Sequence, residues 1–342
     1  MAIKKMGAQT VKLLNPPSIV STGTIVGPKE GEGPLKEYFD VIIEDDLFGE
    51  DSWEKSESKL QKEAIKNALD KISFPLNKID YIFGGDLLNQ IIASGFSARD
   101  LQIPFFGLYG ACSTMSESLS LGAMIVDGGY ADKVICVTSS HFSTAERQFR
   151  FPLELGNQRP LTAQWTVTGS GASIVSSEGN GPYITHITTG KIIDPGIKDA
   201  NNMGAAMAPA AADTIISHFK DTGFTLDDYD YIVTGDLATI GKEILLDLAK
   251  EEGLDLTEKH RDCGLEIFNN EKQDTHAGGS GCGCSASVFN GYFYNLLENG
   301  KINRILLVST GALHSPTSAQ QGESIPGIAH AVSVCTSLGK EG

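Results

Sequence analysis

Apolar and small residues alternate with polar ones from Ile19 to Val26, a period of two that predicts the first strand. An acidic, glycine-rich stretch follows from Gly27 to Asp51, with a short strand expected near Phe39–Ile43. From Ser52, a residue suited to cap a helix, apolar positions recur at helical spacing to about Ile72, while Lys, Glu and Gln keep to the wet face. Ile79–Phe83 has the character of a short buried strand, and Leu87–Arg99 reads as a helix. The apolar pair Phe105-Phe106 then runs into the turn Gly110-Ala-Cys112. Beyond it Met115, Leu119 and Met124 fall on one side of a helix reaching Val126, with Ser116, Ser118 and Ser120 small enough for close packing. Asp132–Ser139 is another core strand. The segment His141–Gln164 is polar and proline-bearing and reads as a long loop, a length that in compact domains goes with function. Trp165–Ser177 and Tyr183–Ile193 look like paired strands, and Ala205–Phe219 is an alanine-rich helix.

The chain then repeats itself. Asp80-Tyr-Ile-Phe-Gly-Gly-Asp-Leu87 returns as Asp230-Tyr-Ile-Val-Thr-Gly-Asp-Leu237, each followed by a helix. Gly110-Ala-Cys-Ser113, a helix and Asp132–Ser139 return as Gly281-Cys-Gly-Cys-Ser285, a helix and Asn303–Thr310. Strands joined by helices imply α/β layers. Two matched units imply two halves, 1–195 with a loop insertion at about 141–164 and 196–342, related by a pseudo-two-fold axis. In that arrangement Cys112 and its counterpart Cys282–Cys284 face a shared cleft.

Composition narrows the function. The 342 residues carry a net charge of −16, which argues against nucleic acid and against unaided binding to anionic lipid. Met1–Asn15 lacks a continuous apolar core, so no secretory signal is expected, and no apolar run is long enough to span a bilayer. The six cysteines are then expected as reduced thiols. Gly281-Cys-Gly-Cys284 lacks the second Cys/His pair of a zinc site, and neither a metal nor a cofactor is expected. Cys112 is placed at a helix N-terminus, where unpaired N–H groups and the helix dipole favour either a thiolate or a bound anion. Gly169-Ser-Gly171 lies in a strand rather than at a strand-to-helix turn and is not read as a phosphate loop. His186, His218, His260, His314 and His330 read as structural or exposed.

With Cys112 at such a turn, a duplicated half and the closing Leu306-Leu-Val-Ser-Thr-Gly-Ala312, the chain resembles thiolase-fold proteins over nearly its whole length. Within that superfamily it most resembles the stage V sporulation protein AD family of spore-forming bacteria, through Phe106–Met115, Thr138–Glu154 and Gln158–Gly171. The resemblance implies a five-layer α-β-α-β-α sandwich of two duplicated halves and a homodimer that pairs edge strands. It also implies a protein that binds dipicolinic acid (pyridine-2,6-dicarboxylate), with or without calcium, for uptake into the developing spore. Its expected partners are membrane proteins of the same operon, and its expected place is as a soluble cytosolic-type protein peripheral to the spore inner membrane.

Thiolase-like enzymes supply two His, or a His and an Asn, from the second half. Where one is expected this chain has Thr234-Gly-Asp-Leu-Ala-Thr239: Gly235 has no side chain, and Asp236 repels both an oxyanion and a thiolate. The other falls on His276 if the turn aligns as in thiolases, or on Cys282 if it aligns as in chain-elongating synthases, and the second thiolase cysteine falls near Ser309. Binding without catalysis is therefore expected. The alternatives are a condensing or thioester-cleaving enzyme acting through Cys112, with His276 as its possible partner, and a scaffold with a vestigial pocket. For the binder, backbone N–H groups of Cys112, Ser113 and Thr114 are expected to receive one carboxylate. His141 and the arginines Arg147, Arg150 and Arg159 are expected to receive the other, with Tyr109, Phe142 or Trp165 stacking on the ring. Asp236 would touch calcium if the chelate binds, and His276 completes the expected set.

Overall fold

The computed structural model describes residues 2–149 and 159–338. The main path of its 13-stranded large sheet is two matching sets of five strands. The first set is β1 (Ser18–Val26), β2 (Tyr81–Gly85), β3 (Phe105–Gly107), β4 (Lys133–Ser140) and β5 (Gly169–Ser176). The second is β6 (Tyr183–Thr188), β7 (Tyr231–Thr234), β8 (His260–Asp262), β9 (Arg304–Ala312) and β10 (Gly327–Cys335). Outward from the centre the first runs β1-β5-β4-β2-β3 and the second β6-β10-β9-β7-β8, so the repeat in sequence is a repeat in topology. A single pair, Ser18 with Tyr183, joins β1 to β6. The second set thus opens at Tyr183, ahead of the seam expected at 195.

Seven helices position the site: α1 (Trp53–Lys71), α2 (Ile92–Leu101), α3 (Thr114–Asp127), α4 (Phe142–Phe149), α5 (Met203–Thr222), α6 (Ala238–Glu251) and α7 (Cys282–Val288). Ser52 caps α1 through the Lys55 amide, as its position suggests. α1 packs on β1 and β5, and α5 packs on β10 and β9 with α6 against it, forming the outer layers. Between the sheets lie α3, touching β4 and β2 on one side and β9 and β10 on the other, and α7. This is the five-layer sandwich. The middle helices are apolar or small all round because both faces are covered. Met115, Leu119, Cys284, Ala286 and Phe289 share one core cluster. The buried serines of α3 satisfy themselves locally or across the seam: Ser120 donates to the Ser116 carbonyl at 2.7 Å, and Ser116 donates to Ser309 at 2.8 Å.

Four expectations change. The helix expected from Leu87 begins at Ile92, because Gln90 and Ile91 take φ of +55° and +47°. The buried Asp86 carboxylate accepts instead from the Leu88 and Ser94 amides, each at 2.8 Å, which satisfies N–H groups that an earlier helix would have used. The expected strand Trp165–Ser177 is broken: Trp165–Thr166 pairs with Gly279–Ser280, and only β5 enters the large sheet. β5 and β6 are not partners, because β1 lies between them; the alternation that marks a strand says nothing about which distant strand it meets. The expected loop at 141–164 opens with α4, directly after β4, with Thr144 and Ala145 buried.

β9 passes so close to the Cys112 turn that a Cβ on Gly311 would stand 2.2 Å from the Gly110 carbonyl oxygen. We predict that Gly311→Ala lowers stability in urea unfolding by roughly 1–3 kcal/mol through overpacking. Gly95→Ala, where a Cβ meets nothing within 4 Å on α2, should raise it by up to about 1 kcal/mol. Equal stabilities for the two variants would contradict the close approach.

Candidate functional site

β3 ends at Gly107, and the chain turns through Ala111, whose φ of +50° lifts Cys112 toward the seam between the halves. The turn consumes its own donors. The Ser113 amide gives to the Gly110 carbonyl at 3.1 Å and the Thr114 amide to the Ala111 carbonyl at 3.3 Å. The hydroxyls of Ser113 and Thr114 cap the same two carbonyls, each at 2.7 Å. The amides of Ser113 and Thr114 are therefore not a waiting carboxylate cradle. Cys112 itself is only 5% exposed and is packed with Leu87, Ala111, Ala145 and Cys282, with Phe149 and Leu313 against them. The roof over the thiol is α4, which is tied to α1 by a 2.8 Å bond from Thr144 to Glu57 and an ion pair between Arg147 and Glu54.

Beneath the roof the Cys112 thiol faces the carboxylate of Asp236, which arrives from the turn after β7 and whose charge acts on it. Asp236 is fully buried and accepts from the Gly281 amide at 2.9 Å, Thr310 Oγ1 at 2.8 Å and Ser280 Oγ at 3.3 Å. Burial pushes its pKa up to about 6, against those bonds. The thiol is pushed well above its ordinary value, first by burial, then by the charges of Asp236 and Cys282. A buried thiol in the field of a carboxylate keeps its proton. Cys282, the counterpart of Cys112, gives its thiol to the Ser139 carbonyl at 2.9 Å and is likewise pushed up, mainly by burial.

Other expected site residues are dispersed. His141 is fully buried, with Nε2 at 2.8 Å from the Asp46 carbonyl and Nδ1 accepting from the Ser143 amide, so both ring nitrogens are used. His276 turns from the thiol to the Pro160 carbonyl (2.8 Å) and Asp274 (3.0 Å). Arg159 pairs with the same Asp274 and stacks on Trp165. The Trp165 faces are already occupied, by Phe142 at 3.8 Å and by Lys29 at 4.1 Å. Arg150 lies outside the described residues. Asp236 is near Cys112 but saturated by protein donors, so it faces no open metal position. Of the expected cations, Arg147 alone among the described residues borders an open groove.

That groove runs along α4. One end, about 570 Å³, is lined by Glu54, Asn89, Arg147, Gln148, Ser315 and Thr317 among others. The other, about 440 Å³, is lined by Tyr109, Leu108, Leu313 and His314 among others, and shares Leu88, Asn89, Gln148, Phe149, Ser315 and Pro316 with the first. Phe149 and Leu313 divide it from Cys112. The Tyr109 hydroxyl is pushed up to about 12, by burial first and then by the charges of Cys112, Cys282 and Asp86. Asn89, Gln148, Ser315 and His314 were not singled out from sequence as ligand contacts. Only the spacing of Phe142, Ala145 and Phe149 signalled the helix that brings Gln148 there.

Residues 7–335 match the family described as stage V sporulation protein AD. The relative of that name from Bacillus subtilis (strain 168) is 48% identical over 330 residues, 96% of this chain and 97% of the relative. Among solved structures, 3-oxoacyl-[acyl-carrier-protein] synthase III from Aquifex aeolicus VF5 superposes with a TM-score of 0.57 at 13% identity, covering 93% of this chain and 99% of that one. Cerulenin-bound OleA from Xanthomonas campestris gives 0.60 at 15% identity, covering 94% and 96%. These structures share the fold of this chain.

Glu57, which holds the roof helix, is fully buried, and burial followed by the nearby Asp86 raises its pKa from 4.5 to about 8. The folded state therefore holds a proton that the unfolded state has released, so the contribution of this group is complete below about pH 4.5 and is lost as pH rises through about 8. Glu57→Gln carries no such proton. Its stability relative to the unsubstituted protein should rise between about pH 5 and about pH 9 in urea unfolding; a constant or falling difference would contradict the buried acid.

Proposed function

The chain belongs to the stage V sporulation protein AD family, and from that premise we propose that it binds dipicolinic acid, free or as the calcium chelate, for uptake into the developing spore, without catalysing a reaction. The observation that carries the reading is the Cys112–Asp236 pair. Acyl transfer needs a thiolate, a base that takes its proton and donors for an oxyanion. Here the group beside the thiol is a buried carboxylate, a far weaker base than the thiolate it would create and without a hydrogen to give an oxyanion, and His276 is engaged elsewhere.

The groove along α4 supplies what a planar dicarboxylate needs: volume within the range of small-ligand sites, amide and hydroxyl donors, and a guanidinium. Arg147 matches a carboxylate with two parallel bonds, exchanging Glu54 for the ligand. Tyr109 offers a ring on the opposite wall.

The protein acts as a homodimer in which β3, the last strand of its set, meets its copy across a two-fold axis; Phe106 stands exposed on that strand. No helix among the described residues is long and apolar enough to cross a membrane. Contact with the spore inner membrane therefore runs through membrane proteins of the same sporulation operon.

Calorimetric titration with dipicolinate, with and without calcium, tests the reading. We predict saturable one-site binding that weakens by roughly 10- to 100-fold in Arg147→Ala, the range for a lost charge-assisted bond. Absence of binding, together with an acyl adduct on Cys112 after incubation with acyl thioesters, would replace the carrier with an enzyme. For the dimer, Phe106→Glu should shift sedimentation toward monomer, and an unchanged sedimentation coefficient would rule out the β3 edge.

A further inference from the structure

Among the described residues, the larger end of the groove along α4 is lined by just two charged side chains, Arg147 and Glu54, and they form an ion pair with each other. The other end adds no carboxylate, lysine or arginine. Both partners are held from outside the groove. Arg147 lies over the ring of Trp53, 5.4 Å from its centroid. Glu54 stands in the first turn of α1, behind the Ser52 cap, where the helix dipole favours a negative charge. Both side chains nevertheless keep contact with water, 46% exposed for Arg147 and 28% for Glu54, and an ion pair this open is weak and parts readily.

A ligand carboxylate that takes Arg147 leaves Glu54 without its cation. A free dicarboxylate adds to the cost, because it brings two more negative charges against that carboxylate. A metal chelate of the same acid does not. Its carboxylates keep outer oxygens for a guanidinium, and a calcium ion takes more oxygen ligands than one dipicolinate supplies. Asp236 is closed to such an ion by its own donors. Glu54 is then the one carboxylate, among the described residues, that lines either end of the groove.

Resting on the binding function proposed above, we infer that Glu54 selects the form of the ligand: it opposes the free dicarboxylate and ligates the calcium of the chelate, while Arg147 takes a carboxylate. The chelate enters between the two members of the resting ion pair, and each of them meets an opposite charge. Loss of Arg147 weakens both forms of the ligand. Loss of Glu54 removes the discrimination between them.

The test titrates the protein by calorimetry with dipicolinate in metal-free buffer and with its calcium chelate, using the unsubstituted chain, Glu54→Ala and Glu54→Gln. The expected result is a preference for the chelate of about tenfold or more in the unsubstituted protein. In both variants that preference collapses, chiefly because free dipicolinate binds more tightly. Terbium in place of calcium gives a luminescent chelate whose decay, compared in light and heavy water, counts the waters on the metal. That count should fall when the chelate binds the unsubstituted protein and stay higher on Glu54→Ala. Equal binding of the two forms by the unsubstituted protein, or a preference and a water count unchanged in Glu54→Ala, would overturn the inference and leave the carrier function standing. No binding of either form by the unsubstituted protein would remove the carrier function and the inference with it.

Discussion

The buried carboxylate of Asp236, set against the Cys112 thiol, is the group on which the centre of this molecule depends. A carboxylate taken fully out of water is costly unless donors surround it. Asp236 is surrounded by donors from the Gly281 amide, Thr310 and Ser280, and the thiol of Cys112 from the other half stands within its field. Its own carbonyl holds Gln164 at 2.6 Å. One side chain thus fixes the end of β7, the start of α7, β9 and the Cys112 turn relative to each other. The arrangement that locks the seam also disarms the thiol, because the electrostatics that satisfy a carboxylate oppose a thiolate.

The duplication makes this a crossed arrangement. Asp86 holds the position in the first half that Asp236 holds in the second, and Cys282 answers to Cys112. Each thiol stands in the field of an acid from the opposite half: Asp236 is the largest charge acting on Cys112, and Asp86 the largest acting on Cys282. Asp86 has taken a second task, capping the entry to α2 and lying close to Glu57, whose bond to Thr144 holds the roof. The functional surface is then displaced outward, from the buried thiol to the groove on the far side of Phe149 and Leu313.

Much of the fold was legible in sequence because both signals that carry it are local. The strand–turn–helix around Cys112 follows from apolar runs and a small-residue turn, and the pseudo-symmetry follows from Asp80–Leu87 returning as Asp230–Leu237. The repulsive role of Asp236 was legible too, since its position after a matched strand fixes where its side chain arrives. The site itself was less so. α4 carried a periodic signal in Phe142, Ala145 and Phe149, but its polar setting hid it, and its position depends on Glu54 and Glu57 from a distant helix. His141 and His314 look alike in sequence. What separates them is that Asp46, far along the chain, reaches one ring, while nothing among the described residues reaches Nδ1 of the other. Strand partners were misread for the same reason: pairing is a long-range property that β1 decides by lying between β5 and β6.

The most direct measurement is the pH dependence of Cys112 alkylation by iodoacetamide, followed by peptide mass spectrometry, in the unsubstituted protein and in Asp236→Asn. If Asp236 keeps the thiol protonated, Cys112 reacts slowly up to alkaline pH, and removing the carboxylate charge shifts its profile to lower pH. Fast alkylation near neutral pH in the unsubstituted protein, unchanged by Asp236→Asn, would contradict the account and return Cys112 to the role of nucleophile.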